Sequence, residues 1–150
     1  MYDNSRGIIN AFLVDVFNTI LKAEEYSISR KYPRLSVKEV HVIEAVCNLQ
    51  DTDNRATAVA AKLRITPGTL TTAVSFLEKK GYLMRKRDAK DRRIVRIYPT
   101  DAAMAVYNYH EEFHKEMVDT LLEGLTDEEA KMFTKGLKHV TKFFKEKYRI

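Results

Sequence analysis

Apolar residues recur at helical spacing along most of the chain. From about Ile8 to Arg30 they fall at Ile9, Phe12, Leu13, Val16, Ile20 and Ala23, and Pro33 then forces the backbone out of the helical region. The spacing predicts a long first helix. Ser36 and Glu39 stand at the two ends of a capping box, with Leu35 placed to pack on Val40, so a second helix is expected from there to about Leu49. The polar run Gln50 to Asn54 ends it. A short third helix, Thr57 to Leu63, puts Val59, Ala60 and Leu63 on one face. Thr66 suits an N-cap and Pro67 the first helical position, opening a fourth helix whose inward stripe is Leu70, Val74 and Leu77. Gly81 is expected to stop it in a left-handed conformation. The period then changes. Tyr82 to Arg87, a polar turn Asp88 to Arg92, and Ile94 to Tyr98 read as a β-hairpin closed by Pro99. Thr100 caps a fifth helix with Tyr109, Phe113, Met117 and Leu121 on a face, and Thr126 to Glu129 boxes a sixth with Phe133, Leu137, Val140 and Phe144.

Helix, tight turn, helix and basic hairpin is the order of a helix-turn-helix followed by a β-wing. The expected fold is therefore mainly α with a small β-hairpin. A winged helix-turn-helix would span about residues 36–99, flanked by helices at about 5–32 and 101–148. A recognition helix must bring side chains to base edges in a groove only about 12 Å wide. The fourth helix carries Gly68, Thr69, Thr72 and Ser75 opposite its apolar stripe, with Thr66 and Thr71 beside them. These permit close approach while bonding bases or phosphates. Small polar residues also solvate ordinary helices, so the hairpin decides the reading. Between Arg85 and Arg96 it concentrates positive charge on an exposed turn, where like charges repel unless a polyanion neutralises them. Arg87, Lys90, Asp91, Arg92 and Arg93 join the fourth helix as candidate contacts to double-stranded DNA.

With 150 residues, 45% hydrophobic and 31% charged, the chain has the makeup of one globular domain. Its 26 Lys and Arg against 21 Asp and Glu give a net charge of +5, which acquires meaning only from its concentration on the hairpin. One cysteine excludes disulfide scaffolds and Cys-rich zinc modules. Cys47 lies in an apolar run without basic neighbours, as a structural thiol does, and fits a reducing compartment. The best membrane candidate, Ile8 to Phe17, is broken by Asn10 and Asp15 and falls short of the roughly 18 apolar residues of a span. The start, Met1-Tyr2-Asp3-Asn4, lacks the basic and apolar regions of an export signal, so a cytoplasmic location is expected. No nucleophile-base pair or phosphate-cradling glycine loop points to an enzyme. The competing class is a helical interaction module that uses its basic hairpin on an acidic protein. A large ratio of cognate to random duplex binding distinguishes the two.

Thr66-Pro67-Gly68-Thr69-Leu70-Thr71-Thr72, Leu77-Glu78-Lys79-Lys80-Gly81-Tyr82, Asp91-Arg92-Arg93 and Tyr98-Pro99-Thr100 resemble the MarR family of bacterial transcription regulators over nearly the whole chain. The resemblance implies a homodimer on a pseudo-palindromic operator, first and last helices intertwined in line with Phe12, Phe17, Phe143 and Phe144, and an Asp-x-Arg wing motif. In that motif Asp91 braces the turn and Arg93 enters the minor groove. Thr72 departs from the pattern, standing where many members place a long basic or amide side chain.

Ser36 to Ile43, Phe113 to Val118, Gly124 to Glu129 and Lys135-Gly136-Leu137 are similar to the FabT-type repressors of bacterial fatty-acid synthesis. That similarity implies an acyl chain on acyl carrier protein as co-repressor and no required cofactor. Phe17, His41, Tyr107, His110, Phe113 and Met117 are the candidate effector residues, forming either an apolar tunnel or plain core. His110 and His114 are four residues apart and share a helix face. With His41 and an acidic residue of the first helix, Glu24 or Glu25, they also suggest a zinc site like that of the zinc-sensing branch of the family.

Overall fold

The structure, a computed structural model, describes the backbone of residues 2–150 and the side chains from Asn4 onward. Met1 and the side chains of Tyr2 and Asp3, part of the segment read above for an export signal, lie outside the described residues. Eight elements follow in order: α1 (Tyr2–Lys31), α2 (Val37–Asn48), α3 (Ala56–Leu63), α4 (Pro67–Lys79), β1 (Leu83–Arg87), β2 (Val95–Pro99), α5 (Asp101–Glu123) and α6 (Asp127–Tyr148). They fall into two compact units, residues 1–111 and 112–150. Among the described residues no helix is long and apolar enough to cross a membrane.

The helix boundaries follow their local signals. Ser36 Oγ accepts from the Glu39 amide while the Glu39 carboxylate accepts from the Ser36 amide, which satisfies two orphan donors of α2. Thr126 and Glu129 do the same for α6. Thr66 caps α4 through the Thr69 amide, with Pro67 behind it. Gly81 adopts φ +84° after the C-terminus of α4, where a side chain would be strained. Arg64 takes the same left-handed region at φ 55° between α3 and α4, without glycine's freedom.

The core of the first unit is the winged helix-turn-helix. Val40, Ile43 and Val46 of α2 meet Val59 and Ala60 of α3, Leu70, Val74 and Leu77 of α4, and Leu83 and Ile97 of the two strands. Ile28 of α1 and Ala103 and Val106 of α5 close it. Each fully buried Leu or Val contributes about 1.5–3 kcal/mol, so these positions anchor α4 firmly against the domain. The expected apolar stripe of α1 behaves differently. Ile9, Phe12, Leu13 and Val16 are exposed, and among the described side chains of α1 only Glu24 and Ile28, toward its C-terminus, are buried. In the second unit, Phe133, Leu137, Val140 and Phe144 of α6 are likewise exposed.

Candidate nucleic-acid interface and a buried histidine cluster

The wing is a two-stranded antiparallel hairpin in which Leu83 pairs with Pro99 and Arg87 with Val95. Its tip is organised by carboxylates. Asp88 Oδ2 accepts from the amides of Lys90 and Asp91 at 3.0 Å each, and Asp88 Oδ1 accepts from Arg96 Nε at 2.6 Å. The Arg96 bond foremost, then the two amides, hold the Asp88 carboxyl down at about 2. Arg96 also donates to Asn54 Oδ1 at 2.8 Å, and the Asn54 carbonyl accepts from the Ile97 amide. Gln50 bridges the carbonyls of Val46 and Ile97. The hairpin is thereby sewn to the loop before α3.

Asp91 Oδ1 accepts from the amide of Arg93 at 3.0 Å and from its Nε at 3.3 Å, while the Arg93 side chain remains 93% exposed. A surface ion pair is worth little in stability, so this one matters for direction: it aims an otherwise free guanidinium. Lys90 and Arg92 are exposed beside it. Arg87 is exposed too, but its Nη1 donates to the Arg92 carbonyl at 2.7 Å, so part of this candidate contact is spent on shaping the turn.

Thr66, Gly68, Thr69, Thr71 and Thr72 are exposed and Ser75 is half-buried; Gly68, Thr72 and Ser75 lie opposite the buried stripe of α4, Thr69 and Thr71 flank it, and Thr66 is the N-cap. A brace that sequence spacing did not reveal ties this helix to the wing. Arg85 donates from its backbone amide and Nε to Glu78 Oε1, and from Nη2 to Glu78 Oε2 and Ser75 Oγ. That bonding with Arg85 holds the Glu78 carboxyl below its ordinary range. Glu78 and Arg85 lie on different elements, so no helical or strand period connects them. At the same C-terminal end of α4, Lys80 Nζ donates to the Arg34 carbonyl and to Glu39 Oε1, both at 2.7 Å.

The histidines form a second polar centre. Glu24 Oε1 accepts from the Nε2 of His41 and of His110, each at 2.7 Å, and Glu44 Oε2 lies 3.4 Å from His110 Nδ1. Glu24 and His110 are buried. Burial works against ionisation of Glu24, but the hydrogen bonds from His41 and His110 outweigh it and keep its pKa below the ordinary value. Hydrogen bonding to Glu44 first, and to Glu24 against the cost of burial, pushes His110 above an ordinary imidazole. Glu44, which helix spacing alone does not single out as a ligand, follows His41 by three residues on α2 and so reaches the same centre. Of the alternative acidic residues, Glu24 enters the centre and Glu25 is exposed. His41, Glu44 and His110 bring donor atoms within 4.8 Å of one another. Tyr107 donates to Asn48 Oδ1 at 2.8 Å, Phe17 is exposed, and His114, Phe113 and Met117 belong to the second unit. A cleft of about 370 Å³ that does include His41 opens toward α3 and α4, lined by Lys38, Val42, Leu63, Ile65, Thr69 and Ala73. Burial, then the nearby Glu44, pushes the Cys47 thiol up to about 11, which leaves little thiolate for oxidation.

Comparisons with known proteins agree on the architecture. A family model described as MarR family matches residues 35–95. The chain is 31% identical over 75 residues to the HTH-type transcriptional regulator YwhA of Bacillus subtilis, covering 50% of this chain and 54% of that protein. It is 30% identical over 82 residues to the HTH-type transcriptional regulator MhqR of the same organism, covering 55% and 57%. The chain thus spans about half the length of the curated relatives it matches. The crystal structure of Streptococcus pneumoniae FabT in complex with DNA superposes with a TM-score of 0.84 at 31% identity, covering 94% of this chain and 98% of that one. The Staphylococcus aureus MepR–DNA complex, at 21% identity and a TM-score of 0.68 over 86% of this chain and 96% of that one, shares the fold.

Proposed function

The chain belongs to the MarR family of DNA-binding transcriptional regulators, and from that premise we propose that it is a homodimeric repressor reading a pseudo-palindromic operator. One α4 enters the major groove of each half-site and one wing sends Arg93 into the adjacent minor groove. Thr66, Gly68, Thr69, Thr71, Thr72 and Ser75 face the major groove, and Arg87, Lys90 and Arg92 meet phosphates at the wing. The observation that carries this reading is Arg93: exposed, yet aimed by Asp91 through its own amide and Nε. Two-fold symmetry places the half-sites about one helical turn, roughly 34–36 Å, apart. The exposed apolar residues of α1 and α6 supply surface for a second copy. Sedimentation of the chain with and without a selected duplex tests the arrangement. A dimer that binds two half-sites is expected; a monomer holding one half-site at full affinity overturns it.

The effector is an acyl group carried on acyl carrier protein, acting as co-repressor of fatty-acid synthesis genes. The FabT-like motifs and the 31% identity to FabT over nearly its full length support this. A second reading has its own observation. Glu24 faces His41 and His110 with Glu44 beside them, an imidazole and carboxylate donor set that suits zinc. Operator affinity measured with long-chain acyl carrier protein, short-chain acyl carrier protein and zinc, each added alone, decides between them. Long-chain acyl carrier protein is expected to tighten binding. No change with either acyl species, alongside a shift of tenfold or more with zinc, overturns the acyl reading in favour of the metal.

A further inference from the structure

The donors of α4 are turned inward. Thr71 Oγ1 donates to the Pro67 carbonyl at 2.9 Å, Thr72 Oγ1 to the Gly68 carbonyl at 3.2 Å, and Ser75 Oγ to the Thr71 carbonyl at 2.9 Å. The Thr66 and Thr69 hydroxyls bond each other at 2.8 Å. What Thr71 and Thr72 offer outward is therefore methyl groups and oxygen lone pairs. Between Pro67 and Glu78 the helix has no Arg, Lys, Asn or Gln. The guanidinium next to it, Arg85, is held by both Glu78 oxygens and by Ser75. Thr69, Thr72 and Phe76 fall at i, i+3 and i+7 and line one shallow surface with Ala73; Phe76 is exposed.

Base edges differ in what they require. Guanine presents two acceptors in the major groove and so needs donors, commonly a bidentate Arg or Lys. An A·T pair presents the adenine amino group, which suits a hydroxyl lone pair, and the thymine methyl, which suits another methyl or an aromatic edge. A G·C pair likewise offers one amino donor and two acceptors, so what sets A·T apart for a surface of methyl groups and a phenyl ring is the thymine methyl, which cytosine lacks. We propose that α4 reads A·T pairs at the centre of each half-site, with thymine methyls packed on the methyl groups of Thr69 and Thr72 and on Phe76. This rests on the reading of α4 as the groove-borne helix and adds the chemistry of what it recognises.

The test begins by selecting duplexes from a random pool with the full chain. The selected duplex is then titrated at fixed salt with wild type, Thr72→Ser and Thr69→Ser, in thymine and deoxyuridine versions that differ only by the C5 methyl. These threonines are exposed, so the serine variants keep both the fold and the hydroxyl. A·T pairs are expected at the positions covered by α4, with about a fourfold affinity loss per thymine-to-deoxyuridine change in wild type, the value of one buried methyl. At the position paired with Thr72, that loss should vanish in Thr72→Ser. G·C pairs at those positions, or equal binding of thymine and deoxyuridine duplexes by wild type, overturns the inference while leaving DNA recognition standing. No enrichment over random duplex overturns the DNA-reading premise itself.

Discussion

The wing and the histidine centre are both built by carboxylates facing cations, yet they behave as opposites. At the wing, Asp88 faces Arg96, Asp91 faces Arg93 and Glu78 faces Arg85, all with permanent guanidinium charges at or near the surface. These pairs brace the wing and leave Arg93 extended. In the centre, Glu24 and Glu44 face His41 and His110, whose charge is conditional, and Glu24 and His110 are shut away from water. The contrast sets a hairpin braced by arginines at the surface against a buried centre that joins three helices through histidines.

Glu24→Ala should give the largest effect. It leaves buried His110 without the shared acceptor, at a cost of about 3–5 kcal/mol for one partner removed from a buried pair. Denaturant titration checks it, and a change below about 1 kcal/mol would show that the centre is not structural.

Arg93→Ala should do the reverse, weakening operator binding by about 1–3 kcal/mol per subunit while leaving the denaturation midpoint in place. Equal binding by variant and wild type across a salt series would remove the wing tip from recognition.

The two regions should also separate by pH in metal-free buffer. His110 has a raised folded-state pKa, so the stability it contributes is fully present below 6.5, its ordinary value, and is lost as pH rises through the elevated one. Glu24 has a lowered one, so its contribution is present above 4.5 and is lost as pH falls through the depressed value. Wild type should therefore be most stable relative to His110→Gln between these two values, with the gap narrowing on the alkaline side. Asp88, held at about 2, should keep the wing braced throughout that range. A gap that stays constant from pH 5 to 9 contradicts the assignment for His110.

Lys90→Ala should be the mildest change, since Lys90 is exposed and the proposed binding mode gives it one phosphate. Affinity should fall alike on cognate and random duplexes, and the salt slope should flatten by about one unit. A loss confined to cognate DNA would place Lys90 on base edges instead.

Much of the molecule was legible from residue order because the rules that set it are local. Capping boxes at Ser36 and Thr126, Pro67 behind Thr66, Gly81 after α4 and the change of period at Tyr82 each act within a few residues, and each element appears where those signals put it. The motif Asp91-Arg92-Arg93 is likewise a contact across two residues. What residue order did not determine is long-range. Glu24 meets His110 across 86 positions, Arg96 meets Asn54 across 42, and Arg85 is taken from the pool of exposed cations by Glu78 on another element. The apolar stripes of α1 and α6 look in sequence like core and stand exposed in the single chain. Periodicity tells which residues share a face, and only the packing of distant segments decides whether that face meets water, a carboxylate or another copy.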